Sequence, residues 1–158
     1  MGMDVYGKEA ISEKGTYFRA NVWYWHPLWE FCCTLRPSLE DEVPYGHSND
    51  GDGLDGENAI QLSELLTDSL SSGFALRYIT ERQEILDKLP LEECQFCEGK
   101  GIRTDEVGVS LEMPEKKTCN GCQGKGQKKP FETNYHIDAE TIKEFAEFLK
   151  DCGGFEIC

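Results

Sequence analysis

The chain has 158 residues, 39% of them hydrophobic, which is enough to form the core of one globular domain. Its formal charge of −14 at pH 7 disfavours direct binding to DNA or RNA, because that affinity depends on Lys and Arg replacing the counterions of the phosphates. A membrane span needs about 18 consecutive apolar residues, which the sequence lacks, and residues 1–10 have no apolar block typical of a signal peptide. We therefore expect a cytoplasmic protein.

The negative charge is concentrated between Pro37 and Leu76, a segment without Lys or Arg. Its first half contains the acidic residues Glu40, Asp41, Glu42, Asp50, Asp52 and Asp55. Such a run is most often a solvated surface, but it also forms a candidate face for binding a partner. Seven of the 16 Lys and Arg residues lie instead between residues 98 and 130.

The most aromatic stretch of the chain follows a polar N-terminal segment. Residues 21–25 favour β-structure and precede a His-Pro pair, so we expect an extended segment, then a short helix that begins at Pro27 and stops before Pro37. Tryptophan is enriched at interface hot spots, although core packing is its commoner use. The candidate interface anchors in this stretch are Trp23, Trp25 and Trp29.

Three further helices are predicted from apolar residues that recur every three or four positions. Two of them, at residues 57–70 and 74–89, are expected to pack together as a hairpin. The third is capped by Asp138 and ends at the glycine pair 153–154. The last four residues have β-character, and we expect them to form an edge strand beside residues 21–25. The predicted fold class is α+β, with a mostly helical core and a small edge sheet.

Two octapeptides, "CQFCEGKG" at 94–101 and "CNGCQGKG" at 119–126, share the form C-x-x-C-x-G-x-G. Two thiolates at this spacing can reach one tetrahedral Zn²⁺, and a second pair completes the shell. The sequence therefore predicts one structural zinc ion bound by Cys94, Cys97, Cys119 and Cys122. A filled shell leaves no position for a reacting water. An iron centre or a redox dithiol uses the same residue types and remains an alternative.

The glycines of the two repeats have a predicted role in the same site. Gly99 and Gly124 are expected to adopt positive φ just after the second cysteine, so that backbone N–H groups can face the sulfurs. Gly101 and Gly126 would let the chain leave the tight turn. Residues 102–118 have the length and alternation of a β-hairpin. We expect a single domain, residues 1–158, with residues 91–130 inserted in it as a zinc ribbon.

The repeats resemble the cysteine-rich zinc region of the DnaJ chaperones, over about residues 94–126. Those chaperones carry four copies and two zinc ions, whereas this chain has two copies. The J-domain tripeptide His-Pro-Asp is also absent, since Leu28 follows His26 and Pro27. The resemblance therefore implies a peptide- or protein-binding role for the ribbon and not the chaperone cycle. Residues 1–29 also resemble a group of small uncharacterised proteins of bacteriophages and bacteria.

These features favour a small acidic protein, stabilised by zinc, that binds another protein and modulates or inhibits a host factor. A second interpretation is an acidic mimic of nucleic acid that blocks a nuclease or polymerase. A third is an enzyme that uses His26 and its tryptophan neighbours, with Cys32 or Cys33 as the nucleophile. We assign no catalytic residue, because no recognisable catalytic motif is present. The remaining cysteines, Cys32, Cys33, Cys152 and Cys158, are expected to be buried thiols, with a second metal site as the alternative.

Overall fold

A computed structural model describes residues 2–110 and 118–158, and it has the α+β architecture expected from the sequence. Its contacts divide the chain into two compact units. One comprises the residues up to Gln83 together with Asn134–Cys158, and we call it the main unit; the other is Glu84–Thr133, the cysteine unit. No helix in the described residues has the length and apolar character that crossing a membrane requires.

The main unit contains a three-stranded antiparallel sheet. The strands β1 (Gly2–Gly7), β2 (Tyr17–Asn21) and β5 (Phe155–Ile157) lie in the order β2-β1-β5. Val5 is the central pairing position, opposite Phe18 on one side and Ile157 on the other. The expectation that the C-terminal strand pairs with residues 21–25 is wrong, because β1 lies between β5 and β2. The alternation of buried Met3 and Val5 with polar neighbours explains why the N-terminal segment is a strand.

Helix α1 (Val22–Leu35) occupies most of the segment expected to be extended. The side chain of Asn21 accepts hydrogen bonds from the N–H groups of Trp23 and Tyr24, and this N-cap outweighs the β-propensity of the residues that follow. Pro27 lies inside the helix, so it cannot donate to the carbonyl of Trp23. That carbonyl instead accepts a hydrogen bond of 2.8 Å from the backbone N–H of His136. Tertiary contact therefore permits a helix that the local sequence disfavours.

The helical part of the main unit is built around α3 (Gly56–Ser71) and α6 (Ala139–Asp151). These helices pack together, and the buried hydroxyl of Ser63 donates to the carbonyl of Ala146 at 2.7 Å. The predicted hairpin of α3 with α4 (Phe74–Asp87) is therefore wrong as the main packing. Helix α4 instead places Tyr78 against Phe31 of α1, with ring centroids 4.8 Å apart. Helix α2 (Leu39–Glu42) is a single turn in the acidic segment.

The described part of the cysteine unit includes a two-stranded antiparallel sheet and a short α-helix. Strand β3 (Glu92–Glu93) pairs with β4 (Gln127–Lys128), and α5 spans Glu106–Ser110. The predicted β-hairpin is wrong over α5, where the Asp105 carboxylate accepts from the N–H of Gly108 and starts a helical turn. The rest of the predicted hairpin, residues 111–117, lies outside the described residues.

We predict that Asn21→Ala lowers the free energy of unfolding of the main unit by about 1 kcal/mol, because two N–H groups at the start of α1 lose their acceptor. Urea denaturation followed by tryptophan fluorescence measures this change. Asn21→Asp is the matched control, because Asp keeps the acceptor and should remain close to the wild type. An equal loss in both variants would contradict the capping role.

Candidate metal centre

The four cysteines of the two octapeptides lie together in the cysteine unit. Their Sγ atoms are all within 4.8 Å of one another, and all four side chains are buried. The Sγ atoms of Cys94 and Cys119 are 3.9 Å apart, and those of Cys97 and Cys122 are 3.7 Å apart. Sulfurs at the corners of a tetrahedron around Zn²⁺ at about 2.3 Å are separated by about 3.8 Å. The cluster therefore has the dimensions of a four-coordinate metal site and could hold one metal ion.

The two repeats contact each other through equivalent backbone hydrogen bonds. The N–H of Cys94 donates to the carbonyl of Gly126, and the N–H of Cys119 donates to the carbonyl of Gly101. Both bonds are 2.8 Å long. Each repeat thus fixes the first cysteine of the other, which gives the site approximate two-fold symmetry.

The last glycine of each repeat also donates to a sulfur of its own repeat. The N–H of Gly101 lies 3.3 Å from Sγ of Cys97, and the N–H of Gly126 lies 3.2 Å from Sγ of Cys122. N–H donors of this kind stabilise negative charge on sulfur and orient the ligand. The backbone therefore favours thiolates at these two positions before any side chain outside the cluster contributes.

Two separate constraints require glycine at these positions of the repeats. Gly99 and Gly124 adopt φ of +72° and +82°, the left-handed conformation that side chains disfavour. Gly101 and Gly126 also have positive φ, and in addition a Cβ on either one would collide with a backbone carbonyl of the opposite repeat. The close approach of the two repeats, as well as the exit from each turn, requires the last glycine.

The cluster favours some thiolate character even as free thiols. Burial raises the pKa of Cys97 to about 12. Burial also acts to raise the pKa of Cys122, but the N–H of Gly126 and hydrogen bonds from neighbouring thiols lower it to about 7. One thiolate is thus stabilised by its neighbours, whereas four adjacent thiolates repel one another unless a cation lies between them.

Comparison of the chain with protein-family models, with curated proteins and with solved structures gives no match. The functional interpretation therefore depends on the chemistry of the residues themselves.

Arg103 is a residue of this region that sequence reasoning counted only among the basic residues. Its side chain is largely buried, pairs with Asp105 at 2.6 Å and donates to the side chain of Asn120 at 3.2 Å. Its guanidinium also lies 4.7 Å from the ring centroid of Phe96. Arg103 therefore contacts one residue between the two cysteines of each repeat, Phe96 in the first and Asn120 in the second. The positive charge of Arg103 does not by itself indicate this role, because the contact depends on the way the repeats come together.

The tryptophans predicted as interface anchors lie in or beside the core of the main unit. Trp25 and Trp29 are fully buried, with stacked rings 5.6 Å apart, and Trp23 is half-buried against Tyr135. Trp25 and Trp29 therefore cannot contact a partner without unfolding, and that part of the prediction is wrong. The reason is that α1 is a helix, which turns these two residues towards α6 and β5.

The acidic candidates divide into two groups. Glu42 forms an ion pair with Arg36, while Asp52 and Asp55 accept hydrogen bonds from backbone N–H groups of Tyr45 and Asn58. These three shape the loops around α2 and the start of α3. The remaining candidates are exposed: Glu40, Asp41 and Asp50.

The other four cysteines do not form a second cluster in the described residues. Cys32 and Cys152 are buried, Cys33 is half-buried, and Cys158 is exposed, contrary to the expectation of a buried thiol. Burial raises the pKa of Cys32, and burial together with the carboxylates of Glu40 and Glu30 raises the pKa of Cys33. A nucleophilic cysteine needs a lowered pKa, so these surroundings do not activate either thiol.

We predict that Gly126→Ala weakens metal binding by more than about 100-fold, because the new Cβ meets the carbonyl of Gly99 and forces the repeats apart. Gly124→Ala is the matched control. Gly124 also has a positive φ, but a Cβ placed there would come no closer than 4.0 Å to a backbone atom of the opposite repeat. We therefore expect about tenfold weakening, from backbone strain alone. Competition of the purified protein with a chromophoric zinc chelator measures both affinities. Equal losses would show that the contact between the repeats is unimportant.

Proposed function

We propose that the chain binds one Zn²⁺ through Cys94, Cys97, Cys119 and Cys122, and that this ion is structural. The tetrahedral spacing of the four sulfurs is the observation that supports the proposal most directly. A shell of four thiolates suits Zn²⁺, which has no geometric preference of its own and is a common partner of C-x-x-C pairs. With four protein ligands, the ion has no open position for substrate.

The cysteine unit depends on the metal because its described residues form almost no apolar core. The buried apolar side chains among them are Leu86, Pro130 and the four cysteines. The only buried cluster found there consists of those cysteines. So small a core cannot offset the conformational entropy lost by the roughly 40 described residues of the unit, and the free energy of metal binding supplies what is missing.

We expect wild-type protein to contain one zinc ion per chain by elemental analysis and Cys119→Ser to contain almost none. The serine hydroxyl is a much poorer zinc ligand than a thiolate. In Cys119→Ser, backbone amides of residues 84–133 should also exchange with deuterium far faster, while those of α3 and α6 stay protected. Cys158→Ser is the control and should keep its zinc. A wild type without tightly bound zinc would refute the proposal, and iron in its place would identify the alternative metal.

The surface of the cysteine unit supports a role in protein binding. A groove of about 410 Å³ lies beside the second repeat, and its lining includes Leu91, which is 57% exposed. Phe96 borders the groove through its contact with Gly121, and 47% of its surface is exposed. Exposed apolar side chains on one surface favour an interaction site there.

The same groove carries positive charge, although the chain as a whole is acidic. Lys125, Lys128 and Lys129 line it, and the ammonium of Lys128 lies 5.5 Å from the ring centroid of Phe96. Lys129 is paired with Asp87, whereas Lys125 has no partner among the described residues. The partner that fits this surface is a protein segment with acidic residues around an apolar side chain.

Two further observations bear on where such a partner would be found. None of the eight cysteines, all of which lie in the described residues, forms a disulfide bond, and this is typical of a reducing compartment such as the cytoplasm. The resemblance of residues 1–29 to small phage and bacterial proteins supports a bacterial host protein as the partner, whose activity the chain would modulate.

We predict that the charge reversals Lys125→Glu and Lys128→Glu together remove at least about 90% of the partner captured from bacterial lysate, because two rim charges change sign. The matched control reverses Lys143 and Lys150, which lie on α6 of the main unit. Both double variants have the same net charge, so a difference between them locates the binding surface. Quantitative mass spectrometry of the captured proteins provides the measurement.

If both double variants capture the same proteins as the wild type, docking through the groove is wrong. The zinc content of each variant is determined on the same samples. It should remain one per chain, so that failure of the docking proposal is distinguishable from loss of the metal site.

A further inference from the structure

Two histidines that are distant in the sequence meet in the main unit. His26 lies on α1, and His47 lies in the loop that follows α2. Their Nδ1 atoms are 2.8 Å apart, and their rings are stacked with centroids 4.9 Å apart. At this distance one Nδ1–H donates to the other Nδ1. When both rings carry their proton on Nε2 instead, both Nδ1 lone pairs are available to one cation.

The loop that carries His47 is held against α1 by the two buried tryptophans. The indole N–H of Trp25 donates to the carbonyl of Gly46 at 2.8 Å. A Cβ at Gly46 would collide with the indole of Trp29, so the backbone lies directly on that ring and only glycine fits. The residue before His47 is thus fixed by core side chains, and the histidine pair is positioned in advance.

Other metal-binding groups lie on the same side of α1. Glu30 and Cys33 follow His26 at spacings of four and seven residues, which places them on one face of the helix. Glu30, Cys33 and His47 all line an open cavity of about 490 Å³. Glu30 is exposed, and its carboxylate is close enough to His47 to act on that ring electrostatically.

The separation of the two nitrogens matches that of two ligands on one metal ion. Imidazole nitrogens about 2.0–2.1 Å from a metal are about 3.0 Å apart at a right angle and about 3.4 Å apart at the tetrahedral angle. The observed 2.8 Å is closest to the right-angled arrangement of an octahedral ion. Imidazole is a preferred ligand of Ni²⁺, Cu²⁺ and Zn²⁺.

We propose that Nδ1 of His26 and Nδ1 of His47, with the carboxylate of Glu30, form a second and exchangeable site for a divalent transition-metal ion such as Ni²⁺. The four-cysteine cluster is the only group of three or more ligand atoms already assembled in the described residues. The histidine site differs from it in kind: two ligands are in place, the carboxylate joins by side-chain rotation, and water fills the remaining positions.

The charges around the pair favour a cation. Glu30 and Glu40 line the cavity, and no Lys or Arg of the described residues does. Burial, followed by the proximity of His26, lowers the pKa of His47, against the opposing effect of the Glu30 carboxylate. This site lies in the main unit and goes beyond the proposed structural zinc and docking roles.

The experiment is a calorimetric titration with Ni²⁺ of full-length protein whose cysteine cluster has first been loaded with zinc. The wild type should bind one Ni²⁺ per chain, in addition to the zinc that it retains. His47→Ala and His26→Ala should each weaken Ni²⁺ binding by more than about 100-fold, and Glu30→Gln by about tenfold. His136→Ala is the matched control and should bind as the wild type does, because its exposed ring lies against Tyr24 outside the pair.

A second measurement excludes a trivial loss of structure. His47→Gln keeps a polar side chain on the exposed loop, and its zinc content and urea midpoint should equal those of the wild type while Ni²⁺ binding is lost. The proposal is overturned if the wild type shows no Ni²⁺ binding, in which case the pair is only an N–H···N hydrogen bond. It is equally overturned if His136→Ala loses as much affinity as His47→Ala.

Discussion

Four sulfurs lie within 4.8 Å of one another in a unit whose described residues have almost no other buried apolar side chains. Removing four ionised thiols from water without a cation is unfavourable, because each negative charge raises the free energy of the others. A bound metal reverses the sign of this interaction, and the fold of the cysteine unit then follows from it. The glycines, the crossed backbone bonds between the repeats and the position of Arg103 all serve to bring the sulfurs to that separation.

The main unit is stabilised by aromatic core packing. Its interior is a continuous set of aromatic rings, in which Trp25, Phe145 and Phe155 pack edge to face. Nothing in this core calls for a metal. The same rings also set the functional geometry nearby, since the indoles of Trp25 and Trp29 hold the loop that presents His47. In this unit the packing of the core therefore also determines the geometry of the histidine pair. In the cysteine unit the four cysteines are themselves the buried cluster.

The two candidate metal sites consequently differ in what they can do. The cysteine site is closed, buried and filled by protein ligands, so its contribution is to stability. The histidine site is open to a cavity with acidic walls, and an ion held there would keep water ligands that can exchange. The cysteine unit also holds the exposed apolar groove with its lysines, while the acidic loops lie in the main unit. The chain thus places the proposed docking surface and the proposed cation-binding cavity in different parts of its sequence.

The features that the sequence alone determined are those that depend on near neighbours. The spacing of the cysteine pairs identified the four cysteines that lie together. Apolar periodicity, together with the Asp138 cap, located α3, α4 and α6 to within a few residues. Local signals were sufficient there, because a knuckle turn or an amphipathic helix is decided within about ten residues.

Only the tertiary structure decided the remainder. Residues 22–25 are helical because Asn21 caps them and His136, over a hundred residues away, satisfies the carbonyl that Pro27 leaves without a donor. The burial of Trp25 and Trp29 and the meeting of His26 with His47 follow from that helix. No local sequence pattern predicts such contacts, because the residues that form them are far apart in the sequence and meet only in the folded chain.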